Sequence, residues 1–214
     1  MQLRTIATAA AAAALVASPF AVRTATPVSA AGTTAFAPVT FTIDAAHSNV
    51  VFKVRHLGLS TVTGRFGSFE GSFQLDPATG AASSASLSIN VASVSTDNER
   101  RDGHLKSPDF FAADSFPKIT FTSTSIQKVG AKYKVNGNLT MRGVTRPVTL
   151  DAEVAGTRST PQGWLAGVSM TGTVKRKDFG LMWDRVTEGV AVVSDDVQIA
   201  IDVEAKSAAP APAR

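Results

Sequence analysis

The 214-residue sequence contains no cysteine, and this absence excludes several kinds of chemistry. Without cysteine the chain has no disulfide, no thiolate zinc site and no cysteine nucleophile. Histidine is also scarce: His47, His56 and His104 lie far apart, and none has the i to i+4 partner of a helical zinc motif. Converging strands can still assemble a metal site, but hydrogen-bonded structural histidines are the favoured interpretation. We therefore expect no metal ion.

Motifs of common enzyme classes are missing too. No Gly-x-Ser-x-Gly sequence occurs, and no glycine-rich phosphate loop follows a strand. Asp44, His47 and Ser48 fall within one turn, where such residues usually hydrogen-bond the local backbone. We therefore expect no catalytic residues and a protein that is not an enzyme.

Basic residues do not form the footprint of a nucleic-acid binder. The formal net charge is +4, but Lys175, Arg176 and Lys177 form the only local basic cluster after residue 30. We expect no nucleic-acid partner.

The N-terminal segment predicts export. Residues 1–30 combine a short basic start, an alanine-rich apolar stretch and a small-residue cleavage site at 28–30, which together are typical of a signal peptide. The apolar stretch is shorter than the roughly 20 residues that span a bilayer. Removal of residues 1–30 would leave 184 residues and a net charge of +2, because Arg4 and Arg23 are lost. We expect a periplasmic or secreted protein.

The rest of the chain divides by composition into three parts. Residues 31–38 are typical of a disordered lead-in, 39–205 form one domain, and 206–214 are a flexible Ala/Pro tail. A chain of this length can form one all-β domain with a substantial core.

Alternation of apolar and polar residues recurs through the domain and predicts strands. The strongest run follows Ser48. Val50, Phe52, Val54 and His56 share one face, which is apolar except for the imidazole at its end. Further runs are 61–66, 69–75, 85–91, 118–125, 132–140, 144–154, 164–174 and 197–204. Short connections between them indicate antiparallel neighbours.

The segment 95–114 breaks this pattern. It is polar and helix-tolerant around residues 97–105, with Thr96 or Asp97 as the expected cap, and it continues into the paired aromatics Phe110 and Phe111. We interpret it as a helical lid against one mouth of a barrel. Arg101 and His104 on this lid, and Arg176 further on, are candidates for holding a polar head group, although structural ion pairs are an equal alternative.

Twelve phenylalanines against one tyrosine favour a long apolar ligand, because phenylalanine adds bulk without requiring a hydrogen-bond partner. Half or more of them can equally fill the core. The candidate ligand-binding residues are Val50, Phe52, Val54, His56, Phe66, Phe69, Phe73, Leu87, Ile89, His104, Leu105, Phe110, Phe111, Phe121, Leu139, Phe179, Leu181 and Trp183.

Several spaced blocks closely resemble the YceI-like family. They are Asp44-x-x-His47-Ser48-x-Val50-x-Phe52-x-Val54-x-His56-Leu57-Gly58, Gly64-x-Phe66, Phe69-x-Gly71, Arg101-Asp102-x-His104-Leu105, Phe110-Phe111, Pro117-x-Ile119-x-Phe121, Gly137-x-Leu139-Thr140-x-x-Gly143-Val144-Thr145-x-Pro147-Val148 and Arg176-x-Asp178-Phe179-Gly180. The resemblance covers nearly the whole domain. It implies an all-β fold, an extended eight-stranded antiparallel lipocalin-like barrel with a short helical lid, whose channel holds a polyisoprenoid such as a quinone tail or prenyl phosphate.

The expected function is therefore an exported lipid-binding protein that sequesters or transports such a chain. It would need no cofactor, although an isoprenoid quinone or prenyl lipid can be its bound ligand, and transient membrane contact is compatible with it. A monomer or a homodimer is expected. Two alternatives stay open: a quinone- or metal-dependent redox accessory or enzyme, and a structural stress-response module whose channel is filled by side chains.

Overall fold

The computed structural model describes residues 38–187 and 189–207. The expected signal peptide, residues 31–37 of the lead-in and residues 208–214 of the tail lie outside the described residues. Within the described ranges, no helix is long and apolar enough to cross a membrane.

The described residues form thirteen antiparallel strands and one short α-helix. The strands are β1 (Val39–Ile43), β2 (Asn49–His56), β3 (Ser60–Phe66), β4 (Phe69–Leu75), β5 (Ala82–Asn90), β6 (Val94–Ser95), β7 (Lys118–Val129), β8 (Lys132–Met141), β9 (Val144–Thr160), β10 (Gly163–Lys175), β11 (Val186–Thr187), β12 (Val190–Ala191) and β13 (Val193–Ser207). The helix α1 spans Glu99–Lys106, and 3₁₀ turns occupy Ala45–His47, Val91–Ser93 and Arg176–Phe179.

Eight of these strands close into a barrel in the order β1-β4-β5-β7-β8-β9-β10-β13, with β13 pairing back to β1. All their pairings are antiparallel, which confirms the predicted eight-stranded barrel. Closure removes the unpaired strand edges that an open sheet would expose. β2, β3 and β6 extend the sheet from β13 beside the ring.

β13 is shared between two partners along one edge. Its end at 205–207 pairs with β1, and its portion at 193–202 pairs with β2. Between them, Ser48 Oγ donates to the Asp44 carbonyl at 2.7 Å, and the Glu204 amide donates to Ser48 Oγ at 3.1 Å. The expected local role of the Asp44–Ser48 turn is confirmed, because its side chains replace ladder bonds where the edge breaks.

The core lies inside the barrel because each strand alternates. On β8, for example, Tyr133, Val135, Leu139 and Met141 are buried, whereas Lys132 and Lys134 face solvent. Gly137 has the same inward parity, and the ring of Phe121 covers it. The ring of Phe121 therefore packs closely against the backbone at Gly137, and the register between β7 and β8 shifts opposite it.

Two sequence-based boundaries differ from the structure. Asn98, rather than Thr96 or Asp97, caps α1: its side chain accepts from the Arg101 amide at 3.0 Å. Asp97 instead pairs with Arg65 at 2.8 Å. β13 continues to Ser207, two residues beyond the expected domain end at 205.

Candidate ligand-binding channel

A cavity of about 370 Å³ occupies the inside of the barrel. Ligand sites in proteins are typically concave, mostly apolar and roughly 300–1,000 Å³ in volume. The wall is made mainly of aliphatic and aromatic side chains, because the wall residues of β2, β7, β8, β9, β10 and β13 are mostly Val, Ile, Leu, Phe or Met. Such a wall holds apolar carbon by removing it from water.

One end of the channel is closed by packed side chains. The rings of Phe41 and Phe73 stack with centroids 5.3 Å apart and planes 9° from parallel. Phe41, Leu75 and Ala205 are all fully buried at this end. We call this the closed end, and ligand must therefore enter elsewhere.

The helix α1 covers the opposite end, which we call the mouth. Thr96 organises the start of the lid: its amide donates to the Asp102 carboxylate at 2.8 Å, and Arg101 Nε donates to its hydroxyl at 2.7 Å. After the helix, Arg142 at the β8–β9 turn donates to the carbonyls of Pro108 and Gly180. The lid is thus tied to the barrel at both of its ends.

Aromatic rings fill the space under the lid. His104 stands edge-on to both Phe110 and Trp183, at centroid distances of 5.0 Å and 5.3 Å. Phe110 and Trp183 also contact each other at 5.2 Å, and Phe111 meets Phe66 edge-on at 5.9 Å. These rings form an aromatic layer between the lid and the channel.

His104 also belongs to a surface ion pair. Its Nε2 lies 3.0 Å from Asp109 Oδ2, and both side chains are exposed to a substantial degree. An exposed pair of this kind contributes little stability, and its geometric role is to fix the orientation of the ring.

Arg176 is the most buried charged side chain at the mouth, with 3% of its surface exposed. Its guanidinium donates to the carbonyls of Leu181 at 2.6 Å, Trp183 at 2.7 Å and Ser194 at 3.0 Å, with a longer contact to Val193 at 3.4 Å. These bonds join the segment after the last 3₁₀ turn to the start of β13. The side chain therefore acts as a structural clamp on the mouth.

Carboxylates near the mouth are neutralised locally. The ammonium group of Lys177 lies 2.7 Å from Asp184 and lowers the pKa of that carboxyl. Similarly, Asp196 lies 2.9 Å from Lys175 and raises the pKa of that lysine. The charged side chains that border the channel are Arg55, Arg101 and Arg176.

Most of the sequence-predicted site residues meet on the channel wall. These are Val50, Phe52, Val54, His56, Phe66, Phe73, Leu87, Ile89, Arg101, His104, Leu105, Phe110, Phe111, Phe121, Leu139, Arg176, Leu181 and Trp183. Their position is a geometric finding, and their contact with a ligand stays a prediction.

Two predicted lining residues do not lie on the wall. Phe69, at the start of β4, is half-buried and borders a shallow surface depression beside Pro117 and Lys118. Phe179 lies in a 3₁₀ turn, is 1% exposed and packs in the core. The 3₁₀ turn breaks the strand period, so Leu181 borders the channel whereas Phe179 does not.

Several wall residues were missing from the prediction. A few, such as Ile43, Val62 and Leu75, come from early strands, but most come from the later strands: Tyr133, Val135, Met141, Leu150, Ala152, Val168, Met170, Val197, Ile199, Ile201 and Val203. Period-two alternation on β8 and β13 was the available signal, since each of these strands presents its apolar residues to one side.

The three histidines do not converge. His47 is largely exposed beside Asp44, whereas His56 and His104 lie at the mouth. Among the described residues, no group of three or more His, Asp or Glu side chains is placed to hold a metal ion.

The fold is thus a closed antiparallel barrel around an apolar channel that a short helix covers. The model of the YceI-like domain matches residues 41–205. The chain belongs to the YceI-like family.

Individual relatives agree with this assignment. The UPF0312 protein ECA1782 of Pectobacterium atrosepticum is 38% identical over 178 residues, covering 83% of this chain and 90% of that protein. The crystal structure of the Campylobacter jejuni YCEI protein has 36% identity and a TM-score of 0.63, covering 72% of this chain and 89% of that one. A polyisoprenoid binding domain from Saccharophagus degradans shares the fold at 17% identity, with a TM-score of 0.57 over 80% of this chain and 99% of that one.

Proposed function

We propose that this protein is an exported, non-enzymatic carrier that holds a polyisoprenoid, or a similar long-chain amphiphile, in the barrel channel. The observation that carries the proposal is the apolar cavity of about 370 Å³, which is closed at one end and covered by a lid at the other. A channel of this form accepts a flexible hydrocarbon chain lengthwise.

The energetics favour a chain over a compact polar ligand. Burial stabilises a bound chain by roughly 0.8 kcal/mol for each CH₂ group, so several isoprene units outweigh the cost of ordering them. No charged cluster on the wall is required for binding. Selectivity then follows the length and shape of the channel.

The head group would lie at the mouth, where the polar side chains of the wall are found. His56 and His104 both border the channel there, and Arg101 borders it beside Thr96. The guanidinium of Arg176 donates to backbone carbonyls, so Arg176 would support the binding of a head group only indirectly, by holding the mouth in place. A quinone ring and a prenyl phosphate are both compatible with this mouth.

Two further features support the proposal. The polyisoprenoid binding domain of Saccharophagus degradans has this fold. By analogy, the ligand of the channel in this chain would also be a polyisoprenoid. Residues 1–30 have the sequence features of a signal peptide, which supports a periplasmic or secreted location.

A channel-filling variant tests the proposal. Ala152 on β9 is buried and lines the channel, whereas Ala155 on the same strand is exposed. Ala152→Phe places a ring in the cavity and should weaken binding of geranylgeraniol at least about tenfold, which corresponds to about 1.4 kcal/mol. The matched control Ala155→Phe should bind within about twofold of the unmodified protein. Equal binding by both variants, each shown to be folded, would contradict the channel as the binding site.

A further inference from the structure

Large apolar side chains that face solvent gather at the mouth. Among the described residues, Leu59, Met182, Val186 and Val129 are the large hydrophobics with the greatest exposure, at 82%, 60%, 63% and 57%. Val129 lies at the end of β7, far along the barrel from the lid. Leu59 belongs to the β2–β3 turn, whereas Met182 and Val186 belong to the segment that leads into β11 and to its first residue. These two segments flank the mouth.

Backbone hydrogen bonds hold these two segments side by side. The amide of Leu57 in the β2–β3 turn donates to the Val192 carbonyl at 3.0 Å, and the Val192 amide donates to the Arg185 carbonyl at 2.7 Å. Arg176 binds the carbonyls on either side of Met182. Leu59, Met182 and Val186 therefore stand on one connected framework, which we call the mouth rim.

The β2–β3 turn is shaped so that Leu59 points outward. The guanidinium of Arg55 donates to the carbonyls of Gly58 and Leu59 at 2.8 Å and 3.0 Å, and to Thr61 Oγ1 at 3.0 Å. Leu57 and Gly58 have φ values of 51° and 67°, which leucine rarely adopts. The turn therefore keeps a leucine, Leu57, at a position where glycine or asparagine is usual.

The charge next to Leu59 is positive. Arg55 bonds only carbonyls and a hydroxyl, and it makes no ion pair with any carboxylate of the described residues. The acidic residues Asp184 and Asp196 close to the rim are each paired with a lysine. An anionic lipid surface complements this arrangement, because it supplies negative charge beside an apolar layer.

We propose that the mouth rim docks onto an anionic lipid bilayer, so that cargo passes between the membrane and the channel. The proposal rests on the proposed carrier function, since a chain held in the channel must enter and leave through the mouth. A second copy of the chain fits less well. A stable protein interface needs about 800 Å² and 20–30 residues per partner, whereas the rim offers three side chains on loops around an opening.

Vesicle flotation tests the docking. The full protein is mixed with vesicles of phosphatidylethanolamine and phosphatidylglycerol, and separately with vesicles of phosphatidylcholine alone. The unmodified protein should float with the first kind and much less with the second. Leu59→Asp and Met182→Asp should each lower the partition coefficient at least about fivefold, because an added carboxylate opposes both the apolar and the charge contribution.

Val129→Asp is the matched control, since it makes the same kind of change at a similarly exposed position away from the mouth. It should float like the unmodified protein. Equal loss in Val129→Asp and Leu59→Asp would overturn the proposal, and so would a failure of the unmodified protein to float. Analytical sedimentation tests for a dimer. If the unmodified protein sediments as a dimer and Leu59→Asp sediments as a monomer, the rim binds a second copy of the chain and the docking proposal is wrong.

The outcome is separable from that of the carrier function. Leu59 is not on the channel wall, so Leu59→Asp should leave geranylgeraniol binding in detergent unchanged. If flotation fails while that binding persists, the docking proposal is wrong and the carrier function stands. Loss of geranylgeraniol binding by the unmodified protein would instead contradict the carrier function.

Discussion

The imidazole of His104 stands edge-on to the indole of Trp183, with ring centroids 5.3 Å apart and planes at 87°. His104 belongs to α1, and Trp183 belongs to the segment that Arg176 holds against β13. The contact therefore joins the lid to the barrel across the mouth. Movement of α1 away from the barrel would break this contact.

His104→Ala should loosen the lid without unfolding the barrel. The change removes the edge contacts with Trp183 and Phe110 and the exposed pair with Asp109. The free energy of unfolding should fall by only about 1 kcal/mol, because aromatic pairs and exposed ion pairs each contribute about that much or less. Amide hydrogen exchange in residues 99–106 should accelerate, and bound geranylgeraniol should dissociate faster. Unchanged exchange rates would show that the ring does not restrain the lid.

Arg176→Met should destabilise the whole fold. It leaves one buried and two partly buried carbonyls without this donor, and each orphaned group costs about 1–3 kcal/mol when water does not replace the bond. We expect the free energy of unfolding in urea to fall by about 3 kcal/mol. Lys175→Met, next to it but exposed, is the control and should change this free energy by less than about 1 kcal/mol. A similar small effect of both variants would contradict the clamp.

Two inward glycines should respond differently to alanine. A Cβ at Gly137 would overlap the ring of Phe121 and stand 2.6 Å from the Thr122 carbonyl oxygen, which belongs to the paired strand and cannot move aside. Gly137→Ala should therefore lower the free energy of unfolding by about 2 kcal/mol. Chemical denaturation measures this loss.

A Cβ at Gly64 would meet only the ring of Phe52 among its three nearest atoms. That ring is half-buried and borders the channel, so it can turn into the cavity. Gly64→Ala should therefore be milder for stability than Gly137→Ala, yet it should weaken geranylgeraniol binding by narrowing the channel. The reverse order of stability would contradict the assignment of these two contacts.

The turn at Asp76 predicts a dependence of stability on pH. The Thr79 hydroxyl donates to Asp76 Oδ2 at 2.8 Å and the Ala78 amide to Oδ1 at 2.9 Å, and these bonds lower the pKa of the carboxyl below its ordinary value of 3.8. The stabilisation is therefore present above about pH 4 and is lost as the pH falls through the folded-state pKa.

Asp76→Asn removes this titration. The difference in unfolding free energy between the unmodified protein and the variant should shrink as the pH falls from about 5 to about 2.5. Urea denaturation at several pH values measures it. Other titrating carboxylates cancel in the difference, so a gap that stays constant over this range would contradict the role of Asp76.

The strand pattern was predictable because successive side chains of a barrel strand point alternately into the apolar interior and out to solvent. All eight alternating runs after the β2–β3 turn begin or end within a few residues of observed strands. β1 was not predicted as a strand, because it is only five residues long and so short a run shows little alternation. The cap of α1 was misplaced because the side chain of Thr96 bonds Arg101 and Asp102 inside the lid segment, and that of Asp97 bonds the distant Arg65.

The site was predictable in its residue types more than in its roles. Phe52, Phe66 and Phe121 lie on the channel wall, as their strand parity implies. The role of Arg176 could be seen only in the structure. In the sequence, an arginine that donates to backbone carbonyls cannot be distinguished from one that binds an anionic ligand. The exposure of Leu59 likewise depends on the conformation of one turn.

The central claim, that the channel carries a long apolar chain, is tested most directly by mass spectrometry of the organic extract of protein purified from its native cells. The account predicts a polyisoprenoid or similar long-chain amphiphile at about one molecule per protein, reduced in Ala152→Phe and retained in Ala155→Phe. A folded protein whose extract contains no such molecule, and which does not bind geranylgeraniol when it is supplied, would contradict the claim.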